Sequence, residues 1–408
     1  MELTKTGFKQ TEVGMIPEEW DVFIIQSLIE NNAIISHLDG NHGALYPRSN
    51  EFTNSGVPYI TANDFINGYV NFKNVRYLPL NRAEQFQKGI AKNGDVLFAH
   101  NATVGPTAIL KTNFDYVILS TTATYFRTDG IKLNNEYLRY FFESQFFVRQ
   151  YSAVMRQSTR NQIPITQQRK FSVTLPPTLN EQNAIATALS DVDSLISSLD
   201  KLIIKKKAIK QGAMKELLTP PQKGGERLSG FNGEWEERTL GELCKITTGK
   251  LDANAMVPDG DYRFYTCAKN YFFIDKYAFD TEALLVSGNG ANVGYIHYFK
   301  GKFNAYQRTY VLDGFTEDIQ FLKCALDVYL SKRINSEKNE GNTPYIKMDT
   351  LTEMSLNIPV KREEQKTIAQ ILSDIDTEIE GLEKKKSKYH RIKQGMMQEL
   401  LTGKTRLI

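Results

Sequence analysis

Cysteine, long apolar runs and net charge are all scarce in this 408-residue chain, and each shortage removes a class of protein. Three scattered cysteines, Cys244, Cys267 and Cys324, make neither a disulfide framework nor a zinc-ligand spacing. No apolar stretch approaches the about 18 residues of a membrane-spanning helix. The opening MELTKTGFKQTEVG lacks the apolar core of a signal peptide. A cytoplasmic protein with free thiols is the expectation. A net charge of +3 excludes a histone-like role, so any nucleic-acid binding must come from local patches.

Catalytic signatures are missing as well. Gly403-Lys404-Thr405 has the ending of a P-loop, but Gly395 lies too far back. Gly288-Asn289-Gly290 reads as a turn among strands. The five histidines, His37, His42, His100, His297 and His390, are too scattered for a triad, and His37 with His42 is a weak zinc pair. There is no Asn-Pro-Pro-aromatic or Asp-Pro-Pro-Tyr motif with which an adenine methyltransferase holds a flipped base. The expectation is no catalysis, metal or cofactor in this chain.

What is present is a repeat. Residues 181–219, EQNAIATALSDVDSLISSLDKLIIKKKAIKQGAMKELLT, align without a gap on residues 364–402, EQKTIAQILSDIDTEIEGLEKKKSKYHRIKQGMMQELLT, and 21 of the 39 positions are identical. Ile185, Leu189, Val192, Ile196, Leu199 and Ile203 recur at alternating steps of four and three. Ile368, Leu372, Ile375, Ile379 and Leu382 repeat the rhythm. This is the a/d seam one helix presents to another, and the simplest partner for each copy is the other. Each copy starts acidic (Asp191 and Asp193; Asp374, Asp376, Glu378 and Glu380) and turns basic later, with Lys205, Lys206, Lys207 and Lys210 in the first. That order suits the helix dipole and an antiparallel pair. A continuous helix of 39 residues is about 58 Å long, a spacer's length.

Ahead of each helix lies a segment of different character. Both begin with Gly-Phe followed by an acidic-Trp pair, Glu19-Trp20 and Glu234-Trp235. Both are rich in β-branched and aromatic residues punctuated by Gly, Asn and Pro, which favours strands and turns. Weak parallels link VPYITANDF (57–65) with YRFYTCAKN (262–270), and NGDVLFAHNATVGPTAIL (93–110) with TEALLVSGNGANVGYIHYF (281–299). Thr178 and Glu181 read as a capping box, and PPQKGGERLSG (220–230) as a Pro/Gly-rich linker. The prediction is an α+β chain. A β-rich domain spans 1–178, a long helix 179–219, a linker 220–230, a second similar domain 231–357 and a second long helical segment 358–408, the helices pairing as an antiparallel coiled coil.

The loops of the two domains read as binding surfaces, since amides, hydroxyls and guanidinium groups are the chemistry that reads base edges. In the first domain the candidates are Tyr59, Thr61, Asn63, His100, Asn101, Thr103, Ser158, Thr159, Arg160, Asn161 and Gln162. In the second they are Tyr265, Lys269, Ser287, Asn289, Asn292, Tyr306, Arg308, Asn339, Asn342, Thr343 and Lys347. Any one of them is ordinary turn chemistry. Matched loops in two copies favour recognition.

Gly14-Met15-Ile16-Pro17-Glu18-Glu19-Trp20, the two helix starts (Leu175 to Gln182; Ile358 to Gln365) and the two Lys-Gln-Gly-x-Met-x-Glu-Leu-Leu-Thr helix ends carry a family resemblance. The chain resembles, over essentially its whole length, the specificity subunit of type I restriction–modification systems. The resemblance implies a non-catalytic subunit whose two variable domains each bind half of a split, asymmetric target in double-stranded DNA. The helices would set the spacing and dock two modification subunits, which carry S-adenosylmethionine and methylate adenine at N6. Two restriction subunits, dependent on ATP and Mg2+, would join to cleave. Met214, Leu217, Met397 and Leu400 are the expected docking positions for partner subunits. The alternative is a protein-binding adaptor, two β-rich domains on a coiled-coil stalk with no affinity for DNA.

Overall fold

The computed structural model describes residues 7–40, 46–157, 160–337 and 345–407. The chain divides into two compact units, unit 1 (Met1–Leu199 with Lys385–Ile408) and unit 2 (Asp200–Lys384).

Unit 1 opens with a hairpin of β1 (Phe8–Thr11) and β2 (Gly14–Pro17), then β3 (Asp21–Ile24) and the short helix α1 (Ile25–Glu30). Next come β4 (Ile34–Asp39), β5 (Val57–Ile60), β6 (Phe65–Ile66), β7 (Tyr69–Val70) and β8 (Arg76–Leu78). The single turn α2 (Leu80–Ala83) leads into β9 (Ile90–Ala91), β10 (Val96–Asn101), β11 (Thr103–Ile109), β12 (Val117–Leu119) and β13 (Ala123–Thr128). The strands form two sheets, ordered β4-β13-β10-β11-β7-β6 and β8-β5-β12-β9.

Strand β10 shows why this segment is extended. Its alternate side chains bury on opposite faces, as a two-residue period requires. Val96 and Phe98 join the core around Trp20, Phe142 and Phe147, while Leu97 joins a second cluster with Ile60, Leu119 and Tyr125. Helices α3 (Asn135–Glu143) and α4 (Gln145–Arg156) cover the first face. Asn134 accepts from the Tyr137 amide at 2.7 Å and Ser144 from the Phe147 amide at 3.3 Å, so each start has its side-chain cap. After α5 (Ile165–Gln168), β14 (Ser172–Leu175) pairs with β3 and delivers the chain to α6 (Leu179–Leu217).

Unit 2 repeats the plan with fewer parts. Strand β15 (Trp235–Thr239), α7 (Leu240–Leu243), β16 (Lys245–Thr248), β17 (Tyr262–Tyr265) and β18 (Phe272–Ile274) precede β19 (Phe279–Ser287), β20 (Ile296–Ala305) and β21 (Thr309–Asp313). They make one sheet in the order β16-β21-β19-β20-β17-β18. Helix α8 (Ile319–Glu337), α9 (Met348–Thr352) and β22 (Ser355–Pro359) follow, β22 pairing with β15 as β14 pairs with β3. The last helix is α10 (Arg362–Leu400). Ile358 and Pro359 therefore close a strand, and the second helix starts later than 358.

Both α6 and α10 run 39 residues. Their ion pairs fix the direction. In unit 1, Lys393 lies 2.8 Å from Asp193, and in unit 2 Lys210 lies 2.7 Å from Asp376, the equivalent residues of the repeat with their helices exchanged. Lys206–Glu378 and Lys207–Glu383 add to the second set. The acidic part of each helix meets the basic part of the other, so the pair is antiparallel.

The apolar stripe is not a helix–helix seam along its whole length. Ile185 and Leu189 belong to the core of unit 1, and Ile368 and Leu372 to that of unit 2. They sit in the turns nearest the globular part, where sheet-covering helices are within reach. Further along, Ile196, Leu199, Ile203 and Ile379 are buried and Val192, Ile375 and Leu382 half-buried. Of the expected docking positions, Leu400 is corrected by its burial. Leu400 is buried in the unit 1 core with Met397 packed on it, and Met214 and Leu217 pack on the unit 2 core. In an antiparallel pair each helix ends beside the first turns of the other, and those ends need apolar closure.

The helix starts also differ from a simple capping box. Thr178 Oγ1 accepts from the Glu181 amide at 3.2 Å, but the Glu181 carboxylate, 3% exposed, is held by Arg406. In unit 2 the equivalent Glu364, 1% exposed, is held by Arg227 at 2.7 Å. Gln182 accepts from the Asn134 amide and Gln365 from the Asp318 amide, each at 2.9 Å. The Glu-Gln pair is thus an anchor between helix and domain in both copies. Arg227 lies in the segment expected to be a linker. That segment folds back instead, the Glu226 amide donating to the Glu216 carbonyl at 3.1 Å.

Candidate nucleic-acid interface

The turn after β10 and the turn after β19 are held by the same set of backbone hydrogen bonds. In unit 1 the His100 amide donates to the Thr122 carbonyl at 3.0 Å, and the His100 carbonyl accepts from Ile163 at 2.8 Å. In unit 2 the Gly288 amide donates to Arg308 at 2.9 Å, and the Gly288 carbonyl accepts from Ile346 at 2.7 Å. Behind each turn a further bond ties in the parallel strand, Ser120 to Ile60 at 2.8 Å and Tyr306 to Tyr265 at 2.9 Å. A glycine is required alongside. A Cβ on Gly40 would lie 2.0 Å from the Ser120 carbonyl oxygen, and one on Gly249 would lie 1.9 Å from that of Ala305. One backbone frame is built twice.

On that frame the side chains differ. In unit 1, Thr103, Arg160 and Asn161 are exposed, Asn101 and Gln162 half-buried, and the Ala102 amide donates to the Asn161 carbonyl at 2.9 Å. In unit 2, Lys269, Arg308 and Lys347 are exposed while Asn289, Asn292 and Tyr306 are half-buried. Asn292 donates to the Cys267 carbonyl at 3.0 Å, and the Asn289 backbone bridges to Tyr345. Each turn therefore gathers two or three sequence-distant candidates into one patch. Ser158, Thr159, Asn339, Asn342, Thr343 and His42 lie outside the described residues.

Four candidates are corrected by burial. Tyr59, His100, Tyr265 and Ser287 are each 2% exposed or less. They sit on or beside central strands with their side chains turned inward. His100 Nδ1 lies 3.0 Å from the Ile163 carbonyl, and Tyr265 packs among Tyr271, His297, Phe299 and Phe303. Burial raises the Tyr59 and Tyr265 phenol pKa values, so neither ionises. Thr61 is half-buried and donates to Asp64 at 2.8 Å, capping a short turn. Asn63 is exposed.

Beside the shared frame, the flanks diverge. Unit 1 carries a concave site of about 350 Å³ lined by Tyr59, Thr61, Asn63, Asp64, Ile66, Asn71, Asn74 and Arg76. Unit 2 instead presents an aromatic sheet face. Tyr271, Phe273 and Tyr295 are exposed, and the Arg263 guanidinium lies 4.3 Å from the Tyr271 ring and 4.6 Å from that of Phe299. His297 beside them is shifted toward neutrality by burial. Among the described residues no cluster of His, Cys, Asp or Glu is placed to hold a metal ion. Buried His37, stacked on Phe126 at 4.0 Å, has its pKa lowered to about 3 by desolvation.

The family model described as the type I restriction modification DNA specificity domain matches twice, over residues 17–208 and 232–388, once per turn-and-frame arrangement. The chain belongs to the type I restriction–modification DNA specificity family. The EcoDI specificity subunit of Escherichia coli is 39% identical over 170 residues, 41% of this chain and 37% of that one. The putative MjaX specificity subunit of Methanocaldococcus jannaschii is 28% identical over 98% of this chain and 97% of its own. In fold, the S subunit of a type I system from M. genitalium matches with a TM-score of 0.63 at 16% identity, over 98% of both chains.

For a member of this family, the residues the sequence did not single out are Asp64, Asn71, Asn74 and Arg76 in unit 1 and Gln307 and Tyr345 in unit 2. A signal for the first group was in the sequence. NDFINGYVNFKN (63–74) holds four asparagines, an amide density unusual for a strand and suited to a recognition loop.

Proposed function

We propose that this chain is the DNA-recognition subunit of a type I restriction–modification complex. Its reader domains, residues 1–178 and 231–357, would each read one half of a bipartite, asymmetric target. The recurring turn frame carries the reading: one scaffold built twice with different side chains suits two readers of different words. The paired helices, about 58 Å each if straight, would serve as the ruler for the gap between half-sites. Joining two readers in one chain also makes the second contact intramolecular, which raises affinity through effective concentration. Exposed Arg160, Lys269, Arg308 and Lys347 suit phosphate contacts and a salt-dependent affinity.

The chemistry would belong to partners. Two modification subunits would bring S-adenosylmethionine and methylate adenine N6, and two restriction subunits, with ATP and Mg2+, would cleave, all in the cytoplasm. No described helix is long and apolar enough to cross a membrane. The test is to co-express the chain with its modification subunit in a host free of other adenine methylation and to map marked adenines across the genome. A split motif, two short words around a fixed gap, is the expected result, and exchanging residues 1–178 for another reader should change one word only. A stable complex that marks no adenine overturns the reading.

A further inference from the structure

The concave site on the flank of unit 1 is joined to the turn frame through one residue. The Thr122 carbonyl accepts from the His100 amide at 3.0 Å, and the Thr122 hydroxyl accepts from the Ala62 amide at 3.0 Å. Ala62 opens the short turn of Asn63 and Asp64, so the cavity wall and the reading turn are continuous. In the floor, the Tyr59 ring packs edge-on against Phe52 at 5.3 Å, and its buried hydroxyl has no hydrogen-bond partner among the described residues.

The lining is a set of base-edge readers. Asn63 and Asn74 offer side-chain amides, the pairing group for adenine N6 and N7, while Asn71, whose Oδ1 accepts from the Lys73 amide at 3.0 Å, offers its NH2 as a donor. Arg76, its guanidinium stacked on Phe52 at 4.0 Å, is the pairing group for guanine O6 and N7. Asp64 accepts from donors and Ile66, 47% exposed, offers an apolar contact for a thymine methyl. Asp64 Oδ2 is taken by the Thr61 amide and hydroxyl, each at 2.8 Å, and the other carboxylate oxygen is left to discriminate between the two DNA surfaces. Asp64 repels a phosphate but accepts from cytosine N4 or adenine N6, so the site fits base edges rather than backbone.

Resting on the recognition role proposed above, we infer that the Asn63–Arg76 cavity is a second base-reading surface of unit 1, beyond the turn frame, and that it fixes one or two positions of one half-site only. The corresponding flank of unit 2 lacks these asparagines and presents Tyr271, Phe273, Tyr295 and Arg263 instead, a different surface.

Asn74→Ala, Arg76→Ala and Asn63→Ala, three exposed positions, test this in the full complex by the same genome-wide adenine map. Wild-type and variant subunits are first compared by thermal melting, and a variant whose melting shifts is replaced in the comparison by the other two. The expected result is about a ten-fold or greater rise in marks at targets differing at one or two positions of a single word, the scale of one lost bidentate contact. The other word stays unchanged. An unaltered first word in the variants overturns the inference while leaving the recognition role intact. A uniform fall in marks without relaxed selectivity also overturns it, because that is the behaviour of a backbone anchor. No marks from wild-type complex would instead sink the recognition role itself, and the inference with it.

Discussion

Unit 1 and unit 2 agree where the backbone is buried and disagree where side chains are exposed. Both hold a turn by the same amide–carbonyl bonds, both clamp a buried helix-start glutamate with an arginine, and both lock the helix pair with a lysine–aspartate contact. On their flanks one has asparagines around a cavity and the other tyrosines and phenylalanine around Arg263. Buried hydrogen bonds have few alternatives, because an unpaired backbone group is costly. Exposed loop residues have many, which leaves them available for recognition.

Three experiments test how far the two units correspond. The chain has two tryptophans, Trp20 in the core of unit 1 and Trp235 packed on the core of unit 2. Single-tryptophan variants therefore report each unit separately in denaturant melts. The largest effect should come from Leu189→Ala and Leu372→Ala, equivalent residues fully buried in their units. Each should destabilise its own unit by about 2–5 kcal/mol, and similar losses at the two positions would support equivalent cores. A loss confined to one of them would end the equivalence.

Next come the clamps. Arg406→Ala and Arg227→Ala leave Glu181 and Glu364 buried without their cation. Each should cost about 2 kcal/mol, below the roughly 3–5 of a fully buried pair because the arginines keep some solvent contact. Adding Glu181→Gln to Arg406→Ala should recover part of the loss. An unchanged melting curve for both arginine variants would reduce the clamp to a surface ion pair.

The smallest effect separates the units by acidity. His37 is neutral in the folded protein, with a pKa of about 3, against 6.5 ordinarily. The unfolded chain binds the proton first, so this contribution to stability is complete above pH 6.5 and is lost as pH falls toward 3. One pH unit below 6.5 the loss is about 1.4 kcal/mol. His37→Gln should remove that increment of acid sensitivity from the Trp20-reported transition and leave the Trp235 transition unmoved. Parallel pH dependence in the variant and wild type would mean His37 is solvated.

The sequence carried the helices, because their determinants are local and repeated. The four-three stripe from Ile185 to Ile203 and the acidic-to-basic order of each copy required both a helix and an antiparallel partner. Periodicity does not distinguish which stripe residues meet the other helix and which meet a domain: Ile185, Leu189, Ile368 and Leu372 join the domain cores, and Leu400 is buried in the core of unit 1. The polar loops could be located but not sorted. His100 and Ser287 have the right chemistry for contacting bases, yet they point inward from central strands.

Two copies of one plan, a β-rich segment and a long helix, are legible in the residues alone, since a repeat of 39 aligned positions needs no tertiary information to be seen. What closes each copy and what each copy shows to solvent depend on residues far apart in the chain. Arg406 and Glu181 are separated by 225 residues, and Arg227 and Glu364 by 137, so no local pattern could pair them. The same holds for the cavity of unit 1, whose wall is joined to the turn after β10 through Thr122, 60 residues from Ala62. Backbone conformation is largely a matter of neighbours in sequence. Burial, ion pairing and the shape of a binding face depend on neighbours in space, and those exist only once the chain has folded.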